Sequence, residues 1–244
     1  GLTIDYGPYG WLEDYDPNWT PNTTDASGRR YRFDNQSNIA QWNLFQLANA
    51  IYPLIEQAEP LREILNDYVE NYQQKVQTMR AQKLGLSEYI HDLHQELHNV
   101  LQLTETDMTI FYRQLANITK AHSTPELFVT ISDAFYTPES ITKDNKNRIE
   151  TWLMQYQQHI IDDGINDKTR RDAMNAVNPK YVLRNYLAQL AIDDAEQGDF
   201  DLIHTLLEVL RHPYEEQVKM QEYAAKRPDW ARNRPGCSML SCSS

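Results

Sequence analysis

Two cysteines in 244 residues are too few for a disulfide scaffold. Eight glycines argue against a β-rich architecture, which spends glycine on tight turns. No apolar run reaches the roughly 18 residues that suggest a membrane-spanning helix. Positive charge is also short, with 23 Lys and Arg against 35 Asp and Glu for a net charge of −12. Such a chain repels nucleic-acid phosphate and anionic membranes, and its basic sets are small: Arg29, Arg30 and Arg32, then Arg227, Arg232 and Arg234. Nucleic acid and membrane are therefore excluded as partners, and a cytoplasmic location is expected. No signal peptide is visible; the chain begins at Gly1 without an initiator Met and is read as a fragment, which could not display one. N-x-Ser/Thr triplets at Asn18, Asn22, Asn35 and Asn117 carry no weight without a secretory signal.

What is present points to a folded body. Hydrophobic residues make up 41% and aromatics 11%, more than a disordered chain carries. Fifteen Tyr and five Trp suit large rings whose polar tips reach partners. Residues 1–5 read as a short strand. Residues 6–36, rich in Pro, Gly, Asn, Asp and Thr, read as a long loop, and Trp11, Tyr15, Trp19, Tyr31 and Phe33 predict that it packs.

From Ser37 onward the apolar spacing is helical. Ile39, Trp42, Phe45 and Ile51 define a first helix that Pro53 is expected to end. Pro60 opens a long one that Gly85 stops. Helices over about 87–100 and 105–120 follow. Thr124-Pro125 and Thr137-Pro138 each read as a cap followed by a helix-starting proline. Asn178-Pro179 is expected to open a helix running to Gly198, Asp199 to start another that Pro213 breaks, and a last helix to cover about 214–226. The fold class is thus mainly α behind one short N-terminal strand. Three parts are expected: residues 1–36, a helical body over 37–227, and a mobile Cys-containing tail over 228–244.

Chemistry concentrates at the start. Leu2-Thr3-Ile4 runs into Asp5, directly followed by Tyr6, Gly7, Pro8 and Gly10. A carboxylate at a strand end, aimed by a tight turn, suits a hard cation held against nucleotide phosphate, because Mg²⁺ takes few protein oxygens and fills its shell with water and phosphate. The Asp-aromatic-Gly triplet has the form of the kinase metal-binding motif; in isolation it suits a plain turn equally well.

Ile-Asp-Tyr-Gly-Pro-Tyr-Gly-Trp-Leu over 4–12 resembles the selenoprotein O family of kinase-like protein adenylyltransferases. So do Tyr-Asp-Pro-Asn-Trp at 15–19, Phe-Asp-Asn-Gln at 33–36, Trp-Asn-Leu-Phe-Gln-Leu-Ala at 42–48, Asn-Pro-Lys-Tyr-Val-Leu-Arg-Asn-Tyr-Leu-Ala-Gln at 178–189, and the final Ser-Cys-Ser-Ser. These match the family's C-terminal half. The resemblance implies a kinase-like C-lobe with extra helices, Asp5 as the Mg²⁺ or Mn²⁺ ligand at ATP, and transfer of AMP from ATP to Ser, Thr or Tyr hydroxyls of protein substrates. It also implies that the nucleotide-contacting Lys and Arg residues and a catalytic Asp-Asn pair lie upstream, so that no catalytic residue falls within these 244 and the fragment alone is inactive. The competing readings are a helical scaffold that kept the fold and lost the chemistry, and a redox-responsive interaction module.

The resemblance places Cys242 where many eukaryotic relatives carry selenocysteine, which suggests a redox role for Cys242 and Cys237. A thiol needs a stabilised thiolate to react, and Arg232 and Arg234 are close in sequence. Some relatives link tail to body by a disulfide; here Pro21 occupies the corresponding loop, and no other Cys exists, leaving Cys237–Cys242 or an intermolecular bond. His91, His94 and His98 share a helix face, and 94/98 has zinc-pair spacing. In His-Gln-Glu-Leu-His, however, the Glu is misplaced for a zinc protease, so a solvated polar face is expected. Asp14 and Asp16 read as turn caps ahead of metal ligands. Asn178-Pro179-Lys180-Tyr181 with Arg184 receives no chemical role beyond a helix start packed on the core.

Overall fold

A computed structural model of the chain describes residues 13–20, 28–234 and 236–237. The expected strand over 1–5 lies outside these residues. Among them the chain is helical, with no named strand, and an isolated antiparallel bridge joins Thr106 to Phe135. This mainly α architecture accords with the helical half of a kinase-like fold.

Among the described residues nine α-helices follow in order: α1 (Gln36–Ile55), α2 (Glu59–Leu84), α3 (His91–Val100), α4 (Met108–Leu115), α5 (Thr124–Ile131), α6 (Lys143–Asp162), α7 (Asp167–Val177), α8 (Asn185–Glu196) and α9 (Asp201–Arg211). Short side chains set many of the starts by accepting the free amides of the first turn. Asp107 accepts from Ile110 at 2.9 Å, Thr142 from Asn145 at 3.3 Å, and Asn166 from Lys168 at 2.9 Å. At α5 the cap is Ser123, one residue before the threonine favoured by sequence; Glu126 Oε2 accepts from both the Ser123 amide and its hydroxyl at 2.7 Å.

Gly85 ends α2 as expected. Its φ of +66° is left-handed, and the Leu86 amide folds back onto the Ala81 carbonyl at 3.0 Å, closing a Schellman turn. A Cβ here would sit 2.7 Å from Arg170 Cγ and Met174 Cγ, so the glycine also lets α7 approach. Pro53 does not end α1: it lies inside the last turn, and the helix stops at Glu56, a left-handed residue with φ of +55°.

The main core gathers α3 to α7. On α6, Trp152 and Tyr156 stack with ring centroids 5.5 Å apart. Their polar tips reach the backbone: Trp152 Nε1 donates to the Leu93 carbonyl at 2.9 Å, and Tyr156 Oη to the Leu84 carbonyl at 2.8 Å. A smaller core joins α8 and α9 to the chain's end through Tyr186, Leu187, Leu206, Ala231 and Cys237. By contrast α1 buries no residue and leaves Trp42, Phe45, Leu47 and Leu54 exposed.

Three expectations are corrected. Residues 178–184 form an extended strap, not a helix start, because the Lys180 and Tyr181 amides donate to the Pro213 carbonyl at 2.7 and 3.1 Å; α8 begins only at Asn185. The 214–226 helix is a 3₁₀ segment, Val218–Ala224, interrupted at Met220, whose backbone is not helical. The described part of the tail packs. Trp230 meets Tyr186 edge-on at 6.2 Å, and Arg234 grips both Asp193 oxygens at 2.7 and 2.6 Å.

Candidate functional site

Asp5 and Cys242 lie outside the described residues. What the structure shows is how the segment that follows Asp5 is held. Glu13 is 2% exposed, and its Oε2 accepts from Arg227 Nη1 at 3.4 Å, across 214 positions of sequence. Arg227 Nη2 also donates to Glu105 Oε1 at 3.0 Å, and Arg232 binds that same oxygen. Burial pushes the Glu13 carboxyl up, against the pull of Arg227 and Arg184.

This cluster is organised by three extended residues between α3 and α4. Asp107 donates its amide to Ala134 at 2.8 Å, and the Tyr136 amide donates to Glu105 at 3.2 Å. On the other side the Tyr15 amide donates to the Thr106 carbonyl at 3.0 Å. Extended residues alternate faces. Glu105 and Asp107 accordingly meet the arginines, while Thr106 Oγ1 turns to the Thr104 carbonyl at 2.8 Å. Asp107 receives Arg184 through two bonds and caps α4 at the same time. The Arg227 amide donates to Tyr136 Oη at 3.2 Å, and burial raises that phenol.

Sequence reasoning missed this cluster. Its acids and arginines are 77 to 214 residues apart, and the sole local signal is the Glu-Thr-Asp alternation. It also left the 178–184 strap without a role. That strap is an anchor: Lys83 Nζ donates to Asn178 Oδ1 at 3.0 Å, Asn178 Nδ2 donates to the Lys83 carbonyl at 2.9 Å, and Tyr181 Oη donates to Gln217 at 3.1 Å.

The histidine face is not solvated as expected. His91 is exposed, but His94 is 3% exposed and His98 is half-buried. His94 shares the stripe of Leu93 and Leu97, and its ring packs on Tyr89 with centroids 4.5 Å apart. Tyr15 Oη and His98 Nδ1 share a hydrogen bond, and burial lowers the His98 pKa. Asp16 caps a turn by accepting the Asn18 amide at 2.8 Å, and Asp14 is exposed. No group of three His, Cys, Asp or Glu residues among the described ones could hold a metal ion.

Cys237 is also corrected: it is 2% exposed, burial raises its thiol pKa, and its carbonyl accepts from Asn185 Nδ2 at 3.2 Å. The tail supplies packing from Ala231 and Cys237 and cation clamps from its arginines, which outweigh its scarcity of apolar residues. Among the described residues no helix is long and apolar enough to cross a membrane.

The family model described as protein adenylyltransferase SelO matches residues 1–211. A protein nucleotidyltransferase YdiU of Rhodopirellula baltica is 55% identical across 100% of this chain and 48% of its own length. Namesakes from Flavobacterium johnsoniae and Aromatoleum aromaticum are 50% and 52% identical, again across 100% of this chain, and cover 47% and 46% of their own lengths. The chain spans about half the length of these curated relatives.

Proposed function

This chain belongs to the SelO protein adenylyltransferase family, and on that footing we propose that it forms the metal-binding C-terminal part of an enzyme that moves AMP from ATP to protein hydroxyls. The observation that carries the reading is Asp5-Tyr6-Gly7 inside the matched segment. Asp5 would hold Mg²⁺ or Mn²⁺. A lone carboxylate fits such an ion, which retains water and phosphate oxygens in most of its shell. The ion, when bound, neutralises charge on the ATP phosphates. In the transfer the acceptor hydroxyl oxygen bonds to the α-phosphorus, the bond to the leaving pyrophosphate breaks, and the hydroxyl proton departs to a base outside this chain.

Such transfer depends on positioning and charge stabilisation more than on covalent help. This chain's own part is to aim Asp5. The segment eight residues further on is fixed at both backbone and side chain, by Tyr15 on Thr106 and Glu13 on Arg227. The chain contains no G-x-G-x-x-G loop to cradle phosphates, so the nucleotide cradle, cation clamps and catalytic Asp-Asn pair are assigned to the half of the relatives it does not span. Alone it is inactive. A cytoplasmic location and protein acceptors belong to the same proposal. The redox alternative has no support at Cys237, whose thiol is buried.

The test is AMP transfer from labelled ATP by a chain extended to the relatives' length. Asp5→Ala should lower transfer by about a hundredfold or more, the scale of losing one electrostatic stabiliser, with unchanged circular dichroism. Undiminished transfer would remove Asp5 from the site.

A further inference from the structure

Between the C-terminal half of α2, α3, α4 and the loop carrying Tyr15 lies a cleft of about 470 Å³. The chain as a whole is acidic, yet this cleft is basic. Arg80 and Lys83, one turn apart on α2, share it with His94 and His98, one turn apart on α3. Among the described lining residues Asp34 is the single carboxylate, and it is exposed.

Several of these groups lack a counterpart of opposite charge. Lys83 Nζ has a neutral amide oxygen at 3.0 Å and the Tyr112 ring centroid at 5.0 Å, and burial lowers its pKa. Arg80 is half-buried and makes no ion pair with the described residues. His94 is 3% exposed; its Nδ1 donates to the Ile90 carbonyl at 2.7 Å, and its Nε2 is buried without a partner. A half-buried cation without a counter-charge and an orphaned ring nitrogen are each destabilising; a bound phosphate would answer the cations, and a hydroxyl or amino group of the same ligand would donate to the nitrogen. Guanidinium and ammonium groups are the usual partners of phosphate oxygens.

Aromatic rings form part of the remaining wall beside aliphatic and amide side chains. Tyr72, Tyr89 and Tyr112 line the same space, and tyrosine faces stack on planar rings of any sequence. The volume falls in the range of small-molecule sites. We propose that this cleft binds a nucleoside monophosphate, its phosphate on Arg80 and Lys83 with His94 Nε2 within the site, and its base against the tyrosines. None of these residues has a part in the AMP-transfer reading, and the inference does not rest on it.

The test is calorimetric titration of the 244-residue chain with AMP, adenosine and inorganic phosphate, in EDTA to remove metal. AMP should bind, with adenosine and phosphate each about tenfold weaker or worse, since each keeps one half of the contacts. Arg80→Glu, at a half-exposed position, should weaken AMP about tenfold or more while circular dichroism is unchanged, and Arg80→Gln should lie between. AMP should also shift the His94 ring proton in NMR spectra of the unmutated chain. Asp5→Ala should leave binding intact. Absent AMP binding, phosphate binding as tightly as AMP, an unmoved His94 signal, or AMP binding lost in Asp5→Ala but kept in Arg80→Glu would each overturn the cleft as the site.

Discussion

Arg184 closes a two-pronged ion pair on Asp107, Nη1 to Oδ2 at 2.5 Å and Nη2 to Oδ1 at 3.1 Å, with the side chains 1% and 0% exposed. The pair ties the first residue before α8 to the cap of α4. Removing either partner strands the other as a buried charge, so Asp107→Ala or Arg184→Ala should destabilise the fold by about 3–5 kcal/mol. Replacing both by apolar residues of similar size (Asp107→Leu with Arg184→Met) should cost less than the sum of the single changes. Urea denaturation of the four proteins measures this, and additive losses would contradict it.

Glu13 and Arg227 should behave asymmetrically. Burial already raises the Glu13 pKa, so Glu13→Gln at neutral pH removes a strained charge and should be nearly neutral. Arg227→Met leaves that carboxylate without its pair and should cost about 1–3 kcal/mol. The folded-state pKa lies above the unfolded one, so the folded protein holds this proton more tightly. Stability from this group is present below the ordinary carboxyl value of 4.5 and is lost as pH rises through the folded pKa, and the loss should be larger in Arg227→Met. Denaturation midpoints measured across that acid range decide it.

Two phenols, buried Tyr156 and half-buried Tyr112, set an alkaline limit. Burial pushes Tyr112 and Tyr156 up to about 12, against an ordinary value of about 10. Their contribution is complete below the ordinary value and declines as pH climbs toward the folded one. Chemical denaturation should show stability falling above about pH 10. Tyrosinate absorbance in the native protein should lag that in urea; coincident curves would count against burial of these rings.

Cys237 should be inert. In a Cys242→Ser variant, which leaves one thiol, Ellman's reagent should react on unfolding and not before, because the thiol is 2% exposed and burial raises its pKa. Rapid native labelling would restore the mobile tail that sequence alone suggests.

Much of the helical body was legible because its punctuation is local. Gly85 and Gly198 both take the left-handed φ their place after a helix demands, +66° and +87°. Pro53 misled because proline bars a helix interior yet is tolerated here, two residues before the last helical residue, Ile55. Asn178-Pro179 misled because a proline start looks the same whether its backbone goes on to coil or is captured, as here, by Pro213. The Asp5 motif was legible as a contiguous string. The cluster behind it was not: Glu13 finds Arg227 through tertiary packing, and nothing near either residue in sequence names the other.

That last pairing carries a consequence for how the molecule is made. Synthesis proceeds at about 5–20 residues per second, so the 214 positions between Glu13 and Arg227 separate their emergence by roughly 10–40 s. Throughout that interval Glu13 waits for its clamp while the helices between them assemble. The clamp on the segment that follows Asp5 in sequence therefore closes only after Arg227 has emerged, and a ribosome stopping short of Arg227 would release the preceding helices without it.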